Sequence, residues 1–141
     1  MEIRMHDVIL KCHKTRAYVS ITKHPYYVCL NEWNPTIYNE YTGHSSYQSL
    51  KPSGSWLGFV KLARELLING LVVNAKDPIQ IEPSRHGWRC THGKHRACIL
   101  MFLSEPDTTL MVEDGIVIDV RPPPSYNTPP HIIKFATLFT V

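Results

Sequence analysis

Apolar residues recur along this chain with two different periods, and the switches between them outline its elements. Val8-Ile9-Leu10 is a short apolar run that predicts a strand. Tyr18-Val19-Ser20-Ile21-Thr22 and Tyr26-Tyr27-Val28-Cys29-Leu30 are rich in β-branched and aromatic residues and read as strands separated by Lys23-His24-Pro25. Asn31 to Gly54 is polar, which predicts a long loop with one helical turn near Tyr38 to Tyr41. The period then changes. Trp56, Phe59, Val60, Ala63, Leu66 and Leu67 form one stripe at helical spacing, so a helix is predicted over Trp56 to Asn69. Ser53 or Ser55 can cap its start, and Asn69-Gly70 suits its end. Pro78 to Glu82 alternates as a strand, and Gly87 to Cys90 is another. A second helix, about 94 to 104, is apolar nearly all round and stops before Pro106. Thr109 to Val112 and Ile116 to Val120 flank Glu113-Asp114-Gly115, a hairpin signal. Pro122 to Pro130 is too rich in proline for regular structure, and Ile132 to Val141 returns as a last strand. No internal repeat is visible. The expected class is α+β: one compact domain over residues 1–141, a mixed sheet with about two main helices.

Composition narrows the classes of function. The chain has 141 residues, 43% of them hydrophobic and 19% charged, which suits a packed core rather than a disordered tail. Its net charge is +3, with no run of five or more like charges. That mild excess permits phosphate or nucleic-acid contact without arguing for duplex binding. Eight histidines add positive charge near pH 6. Cys12, Cys29, Cys90 and Cys98 are expected as free, mostly buried thiols in a reducing cytoplasm. Neither a signal peptide nor an apolar run long enough for a membrane span is present, so no membrane partner is expected.

Candidate chemistry concentrates in Trp88-Arg89-Cys90-Thr91-His92-Gly93-Lys94-His95-Arg96-Ala97. A strand, a glycine turn and a helix start place unpaired backbone N–H groups and the positive end of a helix dipole at one point. Cations there are unfavourable unless an anion is bound, yet Lys94, His95 and Arg96 all crowd that end. A phosphate fits. The plain alternative is a helix cap with exposed basic residues. Arg89, on the preceding strand, supports the site or forms an ion pair elsewhere.

The same block carries a resemblance. Asp77-Pro78-Ile79-Gln80-Ile81, a spacer, then Gly87 to Ala97, preceded by a helix ending in glycine, resembles the ParB/sulfiredoxin superfamily over roughly residues 56–103. The resemblance implies a nucleotide site, with Gly93 giving the backbone room and His95 and Arg96 holding phosphates of ATP, CTP or ADP, with Mg²⁺; beyond the resemblance, Lys94 adds a third cation near the phosphates, and His92 is a further candidate ligand. Two departures matter. His92 stands where an acidic residue is usual, and Lys94 stands where sulfiredoxin has its reactive cysteine, which argues against sulfinic-acid reduction. Family activities then suggest a phosphotransferase or nucleotide hydrolase acting on a small molecule or nucleic acid, or a non-catalytic DNA- or protein-binding module, or a metal-dependent nuclease. Partition proteins carry a helix-turn-helix after this domain. None follows here, which weighs against sequence-specific DNA recognition, and the short form suits a phage protein.

Phosphoryl transfer needs little more than positioning, charge neutralisation and one carboxylate base. The candidate carboxylates are Glu32, Glu40 and Asp77. Glu40 is favoured, beside Tyr38, Tyr41, Thr42 and His44, and with His95 forms the expected catalytic pair. A weaker zinc reading uses Cys90, His92, His95 and Cys98, whose spacing fits no common template. Weaker still is a nucleophile pair from Cys90 and His92. Trp88 is read as core or as a base-stacking surface, and Tyr38, Tyr41 and Tyr47 as loop residues able to stack on a substrate.

Overall fold

In the computed structural model, which describes residues 1–43, 55–74, 76–105 and 107–122, seven strands form one mixed sheet, and four α-helices pack on one another with α4 against β5. The strands are β1 (Glu2–Arg4), β2 (Val8–Cys12), β3 (Ala17–Ser20), β4 (Gln80–Ser84), β5 (Gly87–His92), β6 (Thr109–Glu113) and β7 (Ile116–Arg121). The helices are α1 (Pro25–Glu32), α2 (Pro35–Gly43), α3 (Trp56–Asn69) and α4 (Lys94–Phe102). Sheet order is β1-β6-β7-β4-β5-β2-β3. Every pairing is antiparallel except β2 with β5, where Val8 lies beside Trp88 and Ile9 beside Arg89. The α+β class is therefore observed. None of the helices among the described residues is long and apolar enough to cross a membrane.

Four helices stand where the sequence predicts about two main ones, and both additions fall in segments whose residue types point to strand or loop. Tyr26 to Leu30 is helical, not a strand. Residue type suggested a strand, but His24 and Pro25 are a helix start: proline occupies the first helical position, and His24 Nδ1 accepts the Tyr26 N–H at 3.1 Å. Buried Tyr26, Cys29 and Leu30 then repeat at helical spacing. The predicted loop after Asn31 contains α2. Asn34 Oδ1 accepts the Thr36 N–H at 3.0 Å ahead of Pro35, and Tyr38, Tyr41 and Thr42 are buried. Tyr38 and Tyr41 are thus core residues rather than a loop surface; Tyr47 and the expected strand over Ile132 to Val141 lie outside the described residues.

The predicted α3 stripe does face inward: Phe59, Val60, Ala63, Leu66 and Leu67 are buried, and Trp56 packs against that core. Ser55 caps the helix by accepting the Gly58 N–H at 3.0 Å. Ser55→Ala should cost about 1 kcal/mol of stability by chemical denaturation, with the slope of the unfolding curve unchanged. Residues 97–102 of α4 are all buried, between α1, α3 and the sheet. The four cysteines are free and buried.

Candidate functional site

Topology assembles the site at one end of the sheet. Because β2 and β5 run parallel, both deliver their C-terminal ends to the same side. β5 passes from His92 through Gly93 into α4; β2 passes from Cys12 into the turn His13 to Arg16. The antiparallel partner β4 begins where β5 ends, with Gln80 opposite His92, so residues just before Gln80 also lie here.

Gly93 is the N-cap of α4 and adopts a left-handed backbone, φ 84° and ψ 32°. A Cβ at this position would lie 3.0 Å from Ile79 Cα and Cγ1 and 3.2 Å from Arg96 Nη2. Glycine is therefore required twice, for its φ and for the close passage of Ile79. Lys94, His95 and Arg96 occupy the first turn of the helix and are partly buried. The close approach of the Ile79 segment brings Asp77 to the mouth. Its Oδ1 lies 2.5 Å from His92 Nε2 and 3.3 Å from Arg96 Nη2. The Asp77 carboxylate remains 61% exposed, whereas the Arg96 side chain is 17% exposed. Asp77 thus brings one negative charge against the permanent positive charges of Lys94 and Arg96, before the helix dipole is counted.

His95 sits in an aromatic cage. Its imidazole stacks on Tyr26 at 4.1 Å between ring centroids, with Phe59 edge-on at 5.4 Å and Tyr38 at 6.4 Å. Three helices therefore fix the ring of a residue on a fourth. Behind the cage lies His24, fully buried, whose Nε2 meets the Tyr41 hydroxyl at 3.2 Å; Tyr41 in turn accepts the His13 N–H at 3.1 Å. Burial, then the charges of Lys94, His13 and His95, holds the His24 pKa down to about 3. His13 is also lowered, by partial burial first and then by Lys94 and Lys11. Burial pushes the Tyr41 phenol up to about 12.

Several expected site residues are placed elsewhere. Glu40 is exposed on the α2 face opposite Tyr38, Tyr41 and Thr42, the residues that turn toward the core. Glu32 is exposed at the end of α1. The carboxylate brought to the mouth is Asp77, and the β4–β5 hairpin register was the signal that favours it. Arg89 turns away from the mouth: on a strand whose Cys90 faces the core, it points to the opposite sheet face, where it pairs with Glu82 and its guanidinium carbon lies 5.4 Å from the Tyr18 ring centroid. No group of three or more metal-ligating side chains forms among the described residues, so Cys90, His92, His95 and Cys98 do not make a zinc site there. Cys90 is 1% exposed, binds the His92 carbonyl, and has its thiol pushed up to about 11 by burial, which leaves it inert as a nucleophile. Trp88 packs against the core.

No family model, curated protein or solved structure matches the chain.

Proposed function

We propose that this chain is a nucleotide-binding domain of ParB/sulfiredoxin type, which grips phosphate groups at the mouth of α4 and catalyses phosphoryl transfer or nucleotide hydrolysis. One observation carries the reading. The first turn of α4 holds Lys94, His95 and Arg96, the wrong end of a helix for cations, and Asp77 offsets only part of their charge. A phosphate supplies the missing negative charge and accepts N–H groups of the first turn.

Asp77 and His92 replace Glu40 in the chemistry. A carboxylate on one imidazole nitrogen fixes the tautomer and orients the ring so that the other nitrogen is the proton acceptor. His92 then takes the proton of the attacking hydroxyl or water, Arg96 and Lys94 hold the transferring group, and caged His95 orients it. Asp77 also holds Arg96 in place before the ligand arrives.

Thermal shift with ATP, ADP, CTP and GTP, with and without Mg²⁺, tests binding; ligand at a hundredfold excess over Kd stabilises by about 2.7 kcal/mol. Release of labelled γ-phosphate tests turnover. Asp77→Asn should separate the two, because it keeps the shape and deletes the negative charge. Affinity should hold or rise, while kcat should fall by about 10²-fold or more. Equal kcat in the variant would remove the dyad from the mechanism, and binding without turnover in the wild type would make the site a switch.

A further inference from the structure

The turn that flanks the mouth is itself basic. From Val8 to Asn31 the chain has no aspartate or glutamate but carries Lys11, Lys14, Arg16 and Lys23. Two of these cations sit in the turn after β2, and the parallel register sets that turn beside Gly93 and Lys94. Continuing the pairing of Ile9 with Arg89 brings Lys11 level with Thr91 and His13 level with Gly93. Lys11, His13, Lys14, Thr15 and Arg16 are all exposed. The turn is also ordered: the Arg16 N–H donates to the Cys12 carbonyl at 2.7 Å, and Arg16 holds a left-handed φ of 58°.

Outside the turn, the basic strip continues onto the face of β2 that points away from the core among the described residues. Val8, Leu10 and Cys12 point into the core, so Ile9 and Lys11 point out. Tyr18 lies directly across from Lys11 and is 46% exposed, beside Arg89. The nearby acids are engaged, Glu82 with Arg89 and Asp77 with His92 and Arg96. A line of cations with an exposed aromatic beside it matches a chain of phosphates bearing bases, and no single phosphate would span it.

We infer that the β2–β3 turn and the adjoining face of Lys11 and Tyr18 bind the backbone of a single-stranded nucleic acid, one phosphate of which enters the α4 mouth. The inference rests on the phosphate reading of that mouth. Lys11, Lys14, Arg16 and Lys94 each neutralise a phosphate, and a base stacks on Tyr18.

Fluorescence anisotropy with a labelled short oligothymidylate tests this on the full chain. Four phosphate contacts give a slope of log K against log salt of roughly −3. The double variant Lys14→Glu/Arg16→Glu should lose about tenfold or more in affinity and flatten the slope. Tyr18→Ala should lose about tenfold with the slope unchanged. All three positions are exposed, and a circular dichroism melt verifies that the variants stay folded. Arg96→Ala and a mononucleotide run in parallel separate the two claims. Oligonucleotide binding that is absent, or unchanged in the turn variant, overturns the inference; mononucleotide binding lost only in Arg96→Ala then leaves the mouth as a nucleotide site. Equal affinity for duplex of the same length also overturns it.

Discussion

Arg96→Ala should abolish phosphate and nucleotide binding while leaving the protein folded. Two effects add. The variant loses a charge-assisted contact worth about 1.5–3 kcal/mol. It also leaves the Asp77 carboxylate facing the mouth without its guanidinium, so the same site now repels the ligand. Together they correspond to a loss of about a hundredfold or more, at 1.4 kcal/mol per factor of ten. Stability should barely change, because the Asp77 end of the pair is 61% exposed and such pairs contribute under about 1 kcal/mol. Gly93→Ala reaches the same loss by another route. Its Cβ would meet Ile79 at 3.0 Å and must adopt a φ of 84°, so the variant should also lose about 1–3 kcal/mol of stability. Isothermal titration with a nucleotide, beside a denaturant melt, distinguishes these outcomes: binding lost alone for Arg96→Ala, binding and stability lost together for Gly93→Ala.

The second large effect is a loss of stability on acidification, driven by His24. Its folded pKa of about 3 lies below the unfolded value of 6.5, so protons favour the unfolded chain. The stabilisation is complete above pH 6.5 and is lost as pH falls toward 3. Within that window each pH unit removes up to about 1.4 kcal/mol. Geometry gives the reason. His24 Nδ1 accepts the Tyr26 N–H, so a proton added there breaks the cap of α1, in a fully buried pocket near Lys94, His13 and His95. His24→Asn keeps an acceptor at the cap and cannot titrate. Denaturant melts from pH 7 to 4 should show a steep decline for the wild type and a flatter one for the variant. Parallel curves would assign the acid sensitivity to other groups.

Much of this arrangement was legible beforehand. Periodicity located α3, and Gly93 followed by three basic residues located the mouth of α4. The hairpin of β6 and β7 followed from Glu113-Asp114-Gly115, whose Asp114 and Gly115 both take positive φ. The failures have physical causes. Tyr26 to Leu30 has the composition of a strand, and only the proline and the capping histidine before it disclose a helix. β1 is three residues long and is specified by its pairing with β6, a contact more than a hundred residues away in sequence. Glu40 stands among polar and aromatic neighbours along the chain, but the mouth is assembled by sheet register, which brings Asp77 to it instead. For Arg89 the sequence leaves support of the site and an ion pair elsewhere both open, and alternation along β5 turns it to the face where it pairs with Glu82.

The central claim is that first-turn amides of α4 receive an anion. Titrating the ¹⁵N-labelled protein with inorganic pyrophosphate, and following its backbone amides by NMR, addresses it most directly. The account expects the largest saturable shifts at Lys94, His95 and Arg96, with a smaller shift at Asp77 as its carboxylate yields Arg96. Shifts confined to other residues, or none at millimolar ligand, would contradict it.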